Sequence, residues 1–174
     1  MEFSPAVAIP RLTTERLLLR EYRERDFDAY AASVADGEVN RFTGVLDRKH
    51  AYRVFAAQMG SWILRGAGWW AIEVVETGEL AGRIGAFYRD GFPDLEVGWF
   101  THRAFWRRGI ASEAAAEVVR YAFARFDIPR VTAFISAGNT ASLRIAERLG
   151  MRYEREAEIW DTKVGMYALD RSAG

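Results

Sequence analysis

Cysteine is absent from the 174-residue chain. That absence removes disulfides, thiolate nucleophiles and cysteine-ligated zinc. Histidine is scarce: His50 and His102 are the only two, too few for a histidine-based metal site on their own. Lysine stops at Lys49 and Lys163, so the basic side is almost wholly arginine. Net charge is missing as well. Lys+Arg and Asp+Glu number 24 each, which leaves no bulk attraction for nucleic acid or an anionic membrane. No run approaches the ~18 apolar residues of a membrane span. The opening MEFSPAVAIPRLTTERLLLR has no basic-then-apolar leader pattern. The expectation is a soluble, cytoplasmic protein with no nucleic-acid or membrane partner.

What the chain does have is apolar bulk. It is 50% hydrophobic and 14% aromatic, enough at this length for one domain with a core and short for two. ERLLLREY (Glu15 to Tyr22) reads as a strand. Asp26 is placed to cap a short helix through FDAYAASVA. Asp47 opens a longer helix in which Tyr52, Phe55, Met59, Trp62 and Ile63 recur at helical spacing, and Gly66 and Gly68 stop it. WWAIEVVE and ELAGRIGAFYR flank a Thr77-Gly78 hairpin turn, and DLEVGWF follows a second turn. From Ile110 to Phe126 an apolar stripe persists at helical spacing, ending before Pro129. VTAFIS is a strand. NTASLRIAERLG is a helix capped by Asn139 or Thr140 and stopped at Gly150. Tyr153 to Leu169 alternates as two strands around DTK. The sum is a mixed α/β domain with one parallel pairing, between LEVGWF and VTAFIS.

The stretch FWRRGIASEAAAEVV (Phe105 to Val119) puts an Arg/Gly loop between a strand and a helix. Helix N-termini attract anions through unpaired N–H groups and the helix dipole. Gly109 permits close backbone approach, Ala111 is small, and Arg107 and Arg108 add charge. The pattern G-x-x-x-x-G-K-S/T is absent, as is G-x-G-x-x-G. Local chemistry therefore leaves two readings open, a phosphate cradle and a flexible surface loop.

LEVGWFTHRAFWRRGIASEA, followed by a strand and NTASLRIAERLGM, resembles the GNAT N-acetyltransferases. With the opening LTTERLLLREYRERDFDAY the chain looks most like their RimJ/RimL type, the ribosomal-protein N-terminal acetyltransferases. The resemblance runs from about Leu12 to Met166. It implies one GNAT-like α/β (α+β) domain spanning 1–174, with a central mixed, mostly antiparallel twisted sheet of about seven strands flanked by about four helices. It implies acetyl-CoA as co-substrate and no metal. The coenzyme pyrophosphate is expected on backbone of Arg107, Arg108, Gly109, Ile110, Ala111 and Ser112, and the pantetheine arm along Trp99, Phe100 and Thr101. Asn139 is expected to help hold it. Trp106 departs from the Gln/Arg that opens the family's loop pattern.

The resemblance further implies direct acetyl transfer to a primary amine within a ternary complex, the amine being a small molecule or a protein N-terminus. Glu96 is the candidate base, because it takes the strand face opposite Leu95, Val97 and Trp99. An ion pair with one of the many arginines is an equal reading of Glu96. His102, past the strand, reads as a solvated loop residue. Many family members place a tyrosine acid where this chain has Ala146, so Ser142 is the candidate acid, with a local capping bond as its alternative. Backbone N–H groups near Gly98 to Phe100 would meet the oxyanion, with Gly98 marking a bulge. Arg41 and Phe42 are candidate walls of the acceptor pocket. Trp62, Trp69, Trp70 and Tyr88 read better as core. A non-catalytic coenzyme A-binding module is the alternative function. Relatives commonly dimerise, and a homodimer is compatible with the resemblance.

Overall fold

Successive residues are buried along the central strands, so each strand feeds two layers of packing at once. The computed structural model describes residues 8–159 and 161–171. The first seven residues, part of the stretch read above for a leader pattern, lie outside that range. Chain order is β1 (Leu12–Thr13), β2 (Leu17–Arg20), α1 (Phe27–Ala35), α2 (Arg48–Arg65), β3 (Gly68–Val74), β4 (Leu80–Tyr88) and β5 (Leu95–Thr101). There follow α3 (Ile110–Arg125), β6 (Arg130–Ser136), α4 (Thr140–Arg148), β7 (Arg152–Ile159) and β8 (Thr162–Asp170). The strands form an 8-stranded sheet in the order β1-β2-β3-β4-β5-β6-β8-β7. Every neighbouring pair is antiparallel except β5 with β6. The strand beyond the expected seven is the two-residue β1.

One face of the sheet presents Leu17, Leu19, Trp70, Ile72, Ile84, Leu95 and Val97 to α3, which answers with Ile110, Ala114, Val118 and Ala122. The alanines let the helix sit close to the sheet. The other face carries α1 and α2 over Tyr22, Tyr30, Val34, Phe55 and Ala71. Helix α2 starts and stops where expected: Asp47 accepts the His50 N–H at 2.8 Å, and Gly66 takes a left-handed φ of 64°. Its expected stripe is narrower than the spacing implies. Phe55 and Trp62 are buried, but Tyr52 and Ile63 are 59% and 70% exposed, because only one side of α2 meets the sheet.

Asp26 precedes α1 as expected, yet its side chain makes no cap bond to that helix. It is instead buried against Arg20, whose side chain is fully enclosed. Arg20 donates from Nη1 and Nη2 to Asp26 at 2.6 and 2.9 Å and from Nε to Glu73 at 2.7 Å. Asp26 also accepts the Arg23 N–H at 2.7 Å. One guanidinium therefore fastens β2, β3 and the start of α1. Burial alone would push the Asp26 carboxyl up; the Arg20 bonds and the Arg23 N–H outweigh it and hold the carboxyl below its ordinary value. A depressed carboxyl contributes stability above its unfolded value and loses it as pH falls through the folded one.

Replacing one partner leaves a buried cation short of charge. Asp26→Ala is expected to lower unfolding free energy by about 3–5 kcal/mol, read by urea denaturation at pH 7. The deficit relative to wild type should shrink as pH falls below about 4.

Candidate active site

Strands β5 and β6 pair in parallel for only two positions, Leu95 with Val131 and Glu96 with Thr132. Strand β5 then continues to Thr101 and β6 to Ser136. The outer edges stay fully paired: Leu95–Thr101 matches β4 residue for residue, and β6 matches β8 over its whole length. A fork thus opens between two well-held strands, and one edge of β5 from Val97 onward faces no strand. The Trp99 indole N–H reaches across to donate to Ser142 Oγ on α4 at 3.2 Å. At the far end the Trp106 indole N–H donates to the Thr101 carbonyl at 3.0 Å. Helices α3 and α4 both begin at the open end of the fork.

The loop into α3 is built from two left-handed residues, Arg107 (φ 60°) and Gly109 (φ 77°). The first intrahelical bond runs from the Glu113 N–H to the Gly109 carbonyl at 3.0 Å. The N–H groups of Ile110, Ala111 and Ser112 therefore have no acceptor within the helix. The N-terminal segment pins this loop. Arg16 donates from Nη1 to the Arg108 carbonyl at 3.0 Å and from Nε to Glu113 at 2.7 Å. Glu113 also accepts from Thr14 Oγ1 at 2.5 Å and from the Arg16 N–H at 3.1 Å. Burial raises the Glu113 carboxyl, but these bonds outweigh it and hold it low. Sequence reasoning missed this clasp. Its signal lay in LTTERLLLR, where Thr14 and Arg16 flank the start of a strand.

Asn139 caps α4, its Oδ1 accepting the Ser142 N–H at 3.2 Å. The Ser142 hydroxyl makes no local cap and takes the Trp99 indole N–H instead. Ala146 is buried in the core, so α4 turns Ser142 toward the fork and no side chain from that later turn.

Glu96 stands at the fork itself, on the α1/α2 face, and is 6% exposed. Arg89 holds both its oxygens, Nε to Oε2 at 2.6 Å and Nη2 to Oε1 at 2.9 Å. Burial pushes the Glu96 carboxyl up and Arg89 pulls it back; the net direction is up. Thr132, its register partner, keeps a buried Oγ1 with no hydrogen-bond partner among the described residues. Gly98 is not a bulge, since the β4–β5 register is continuous through Gly85–Gly98. Its role is space. A Cβ on Gly98 would lie 2.9 Å from the Trp69 ring, and one on Gly85 2.7 Å. The two glycines thus form a bed for that indole, which stacks on Phe87 with centroids 4.9 Å apart. His102 is half-buried rather than solvated, and burial together with the Arg83 charge lowers it to about 4. Trp62 and Trp70 are core, as read from sequence.

The structure therefore gathers Glu96, Trp99 and Ser142 at the fork, with Arg107 to Ser112 at its mouth. The Phe100 side chain faces away from that edge, beneath the Arg83 guanidinium at 4.1 Å. Arg41 and Phe42 flank the far end of the fork: Arg41 stacks on Phe42 at 4.7 Å and approaches Trp106 at 5.9 Å. An ion pair from Glu38 to Arg103 at 2.5 Å ties their loop to the β5–α3 connection.

An acetyltransferase (GNAT) domain model matches residues 16–152. The chain belongs to the GNAT acetyltransferases. It is 32% identical to the uncharacterised N-acetyltransferase YoaA of Bacillus subtilis over 152 residues, 83% of this chain and 84% of that protein. It is 28% identical to YkkB of the same organism over 165 residues, 90% of this chain and 94% of that one. The solved acetyltransferase of Agrobacterium tumefaciens superposes with a TM-score of 0.85 at 30% identity, covering 98% of this chain and 100% of the other. RimL, the ribosomal L7/L12 α-N-protein acetyltransferase solved with coenzyme A, shares the fold at TM-score 0.72 and 20% identity, covering 90% of this chain and 95% of that one. The GNAT fold and N-acetyltransferase class expected from sequence stand on these matches. No helix among the described residues is long and apolar enough to cross a membrane.

In this GNAT domain the Trp69 bed is a packing constraint with a direct test. Gly98→Ala is expected to lose about 1–3 kcal/mol from overpacking, with a changed near-ultraviolet dichroism as the indole lifts. A melt and spectrum matching wild type would remove the bed from the account.

Proposed function

We propose that this N-acetyltransferase transfers acetyl directly from acetyl-CoA to a primary amine, with both substrates held at the β5–β6 fork. The observation that carries the reading is the two-position parallel contact, which leaves β5 backbone open beside an unpaired helix N-terminus. These features fit the coenzyme. The N–H groups of Ile110 to Ser112 and the positive end of α3 suit its pyrophosphate, with Arg107 and Arg108 adding charge. The open edge at Trp99 and Phe100 suits a chain that pairs like a strand, and Asn139 Nδ2 remains for a further contact. The Thr101 carbonyl already accepts the Trp106 indole N–H, so it contributes less than a fully open group. The RimJ/RimL-like opening finds its use in the Arg16–Glu113 clasp, which fixes this cradle.

Acetyl-CoA supplies the acetyl group and the thiolate that leaves. The protein supplies proton handling. Arg89 takes one lone pair from each Glu96 oxygen, which leaves others to accept an amine proton directly or through one water. The buried Thr132 hydroxyl is positioned by register to orient that group. Ser142 Oγ accepts from Trp99, so its own proton is free to be donated toward the fork. N–H groups of the open β5 edge near Gly98 to Phe100 can meet the developing oxyanion.

Glu96→Gln and Ser142→Ala are each expected to lower kcat about 100-fold or more in a thiol-release assay. Normal turnover in both would sink the assignment. The acid limb of the wild-type profile should lie above the usual carboxylate value of 4.5, and Arg89→Gln should move it higher still, since Arg89 holds Glu96 down. On the coenzyme side, Gly109→Val forces a branched side chain into a left-handed backbone. Arg107→Ala exchanges one non-glycine residue for another at φ 60°. KM for acetyl-CoA should therefore rise more in Gly109→Val, and the reverse order would place the binding in the arginines.

A further inference from the structure

Alternation along β4 and β5 sets three cross-strand rows on the Glu96 face: Phe87 with Glu96, Gly85 with Gly98, and Arg83 with Phe100. The middle row is the bed of Trp69. The third row holds a cation of an unusual kind. The Arg83 guanidinium lies 4.1 Å from the Phe100 ring, 5.2 Å from Tyr30 and 5.6 Å from Trp69. Its Nε is buried without a hydrogen-bond partner, and among the described residues no carboxylate pairs with it. Its neighbours differ. Arg20 holds Asp26 and Glu73, and Arg89 holds Glu96.

A partly buried guanidinium with its Nε enclosed and no counter-ion is unfavourable, and ring faces compensate only in part. Aromatic rings offer no ionic acceptor, so the N–H donors in the guanidinium plane stay without a carboxylate partner among the described residues. An in-plane fork of N–H groups is the shape that receives a carboxylate through two parallel bonds. His102 beside it is neutral at pH 7, so among the described residues Arg83 is the unpaired cation of that corner, which suits a carboxylate better than a phosphate.

We infer that the acetyl acceptor is a small amino acid, whose carboxylate Arg83 receives while its amine lies toward Glu96. The inference rests on the acetyl-transfer reading above and names its acceptor class. The Gly98 row is two strand residues, about 7 Å, from the Arg83 row, and the Glu96 row is about 13 Å away. Arg83 leans onto Trp69, whose ring covers the middle row, and so shortens the span. That leaves room for a few bonds between amine and carboxylate, over an apolar aromatic floor.

The test compares acceptors that differ only by the carboxylate: glycine with methylamine, γ-aminobutyrate with propylamine, phenylalanine with phenethylamine. Wild type is expected to prefer the carboxylated member of at least one pair by about 10-fold or more in kcat/KM. Arg83→Gln should lower kcat/KM for that member about 100-fold and bring the ratio near one, and Arg83→Lys should restore part of it. A wild-type preference for the amines that lack a carboxylate would overturn the inference, as would an equal loss on both members of a pair. Calorimetric titration of the same three amino acids into protein with coenzyme A present separates the two readings. Binding that is lost in Arg83→Gln, with no amine acetylated by wild type, would keep the carboxylate site and overturn acetyl transfer. Absence of both binding and preference would overturn the site.

Discussion

Strands β5 and β6 touch at two residue pairs and then part, and the proposed site is built on that parting. An open strand edge is unfavourable inside a protein unless something else meets its backbone groups. Here the opening is confined to one edge of each strand. Strand β5 stays bound to β4 along its whole length, and β6 to β8. The gap is also braced. Trp99 spans it to Ser142, and Trp106 closes its far end on the Thr101 carbonyl. The fork is thus a fixed feature of the fold, and a ligand entering it completes a half-built sheet without having to separate strands.

The two faces of the fork receive different material. From the α3/α4 face come helix N-termini, Ser142 and the left-handed loop, which together favour negative charge and extended backbone. From the α1/α2 face come Glu96, the Trp69 bed and Arg83, which favour a small polar molecule lying on aromatic rings. Both halves are held by contacts distant in sequence. Arg16 reaches the α3 loop across more than ninety residues through Arg108 and Glu113, and Arg20 ties β2 to β3 and α1. The N-terminal strand therefore acts as a fastener for both faces of the fork.

What the sequence revealed follows the range of the forces involved. Asp47 and Gly66 bound α2, Thr77-Gly78 turns a hairpin, and the Ile110 stripe makes α3, because capping, turn geometry and periodicity act within a few residues. The failures are places where a distant partner outbid a local one. Asp26 has the chemistry of a cap but faces Arg20 in the core. Gly98 has the look of a bulge, yet its missing Cβ serves an indole from β3. His102 follows a strand and reads as solvated, but Arg83 and the body of the protein enclose it. At the candidate site, strand parity put Glu96 opposite Leu95, Val97 and Trp99, and the family resemblance pointed to Ser142. The Arg89 pair, the Arg16–Glu113 clasp and the Arg83 corner were not legible, since each needs the sheet register before its partners become neighbours.

Charge pairing within the cleft bears on the acceptor inferred above. Glu96 alone would make the fork negative and draw polycationic amines. Arg89 cancels that charge through two bonds, and His102 adds none at neutral pH. The balance on this face then rests on Arg83, whose charge no side chain among the described residues offsets. A cleft with one net positive charge repels a second cation on the acceptor and rewards an anion. The amine must also arrive uncharged, or lose its proton on arrival, to reach a carboxyl already engaged by arginine. An amino acid, the acceptor inferred above, meets the charge demand, because its carboxylate lowers the charge of the whole molecule and anchors it, while its amine still has to give up a proton before it reacts.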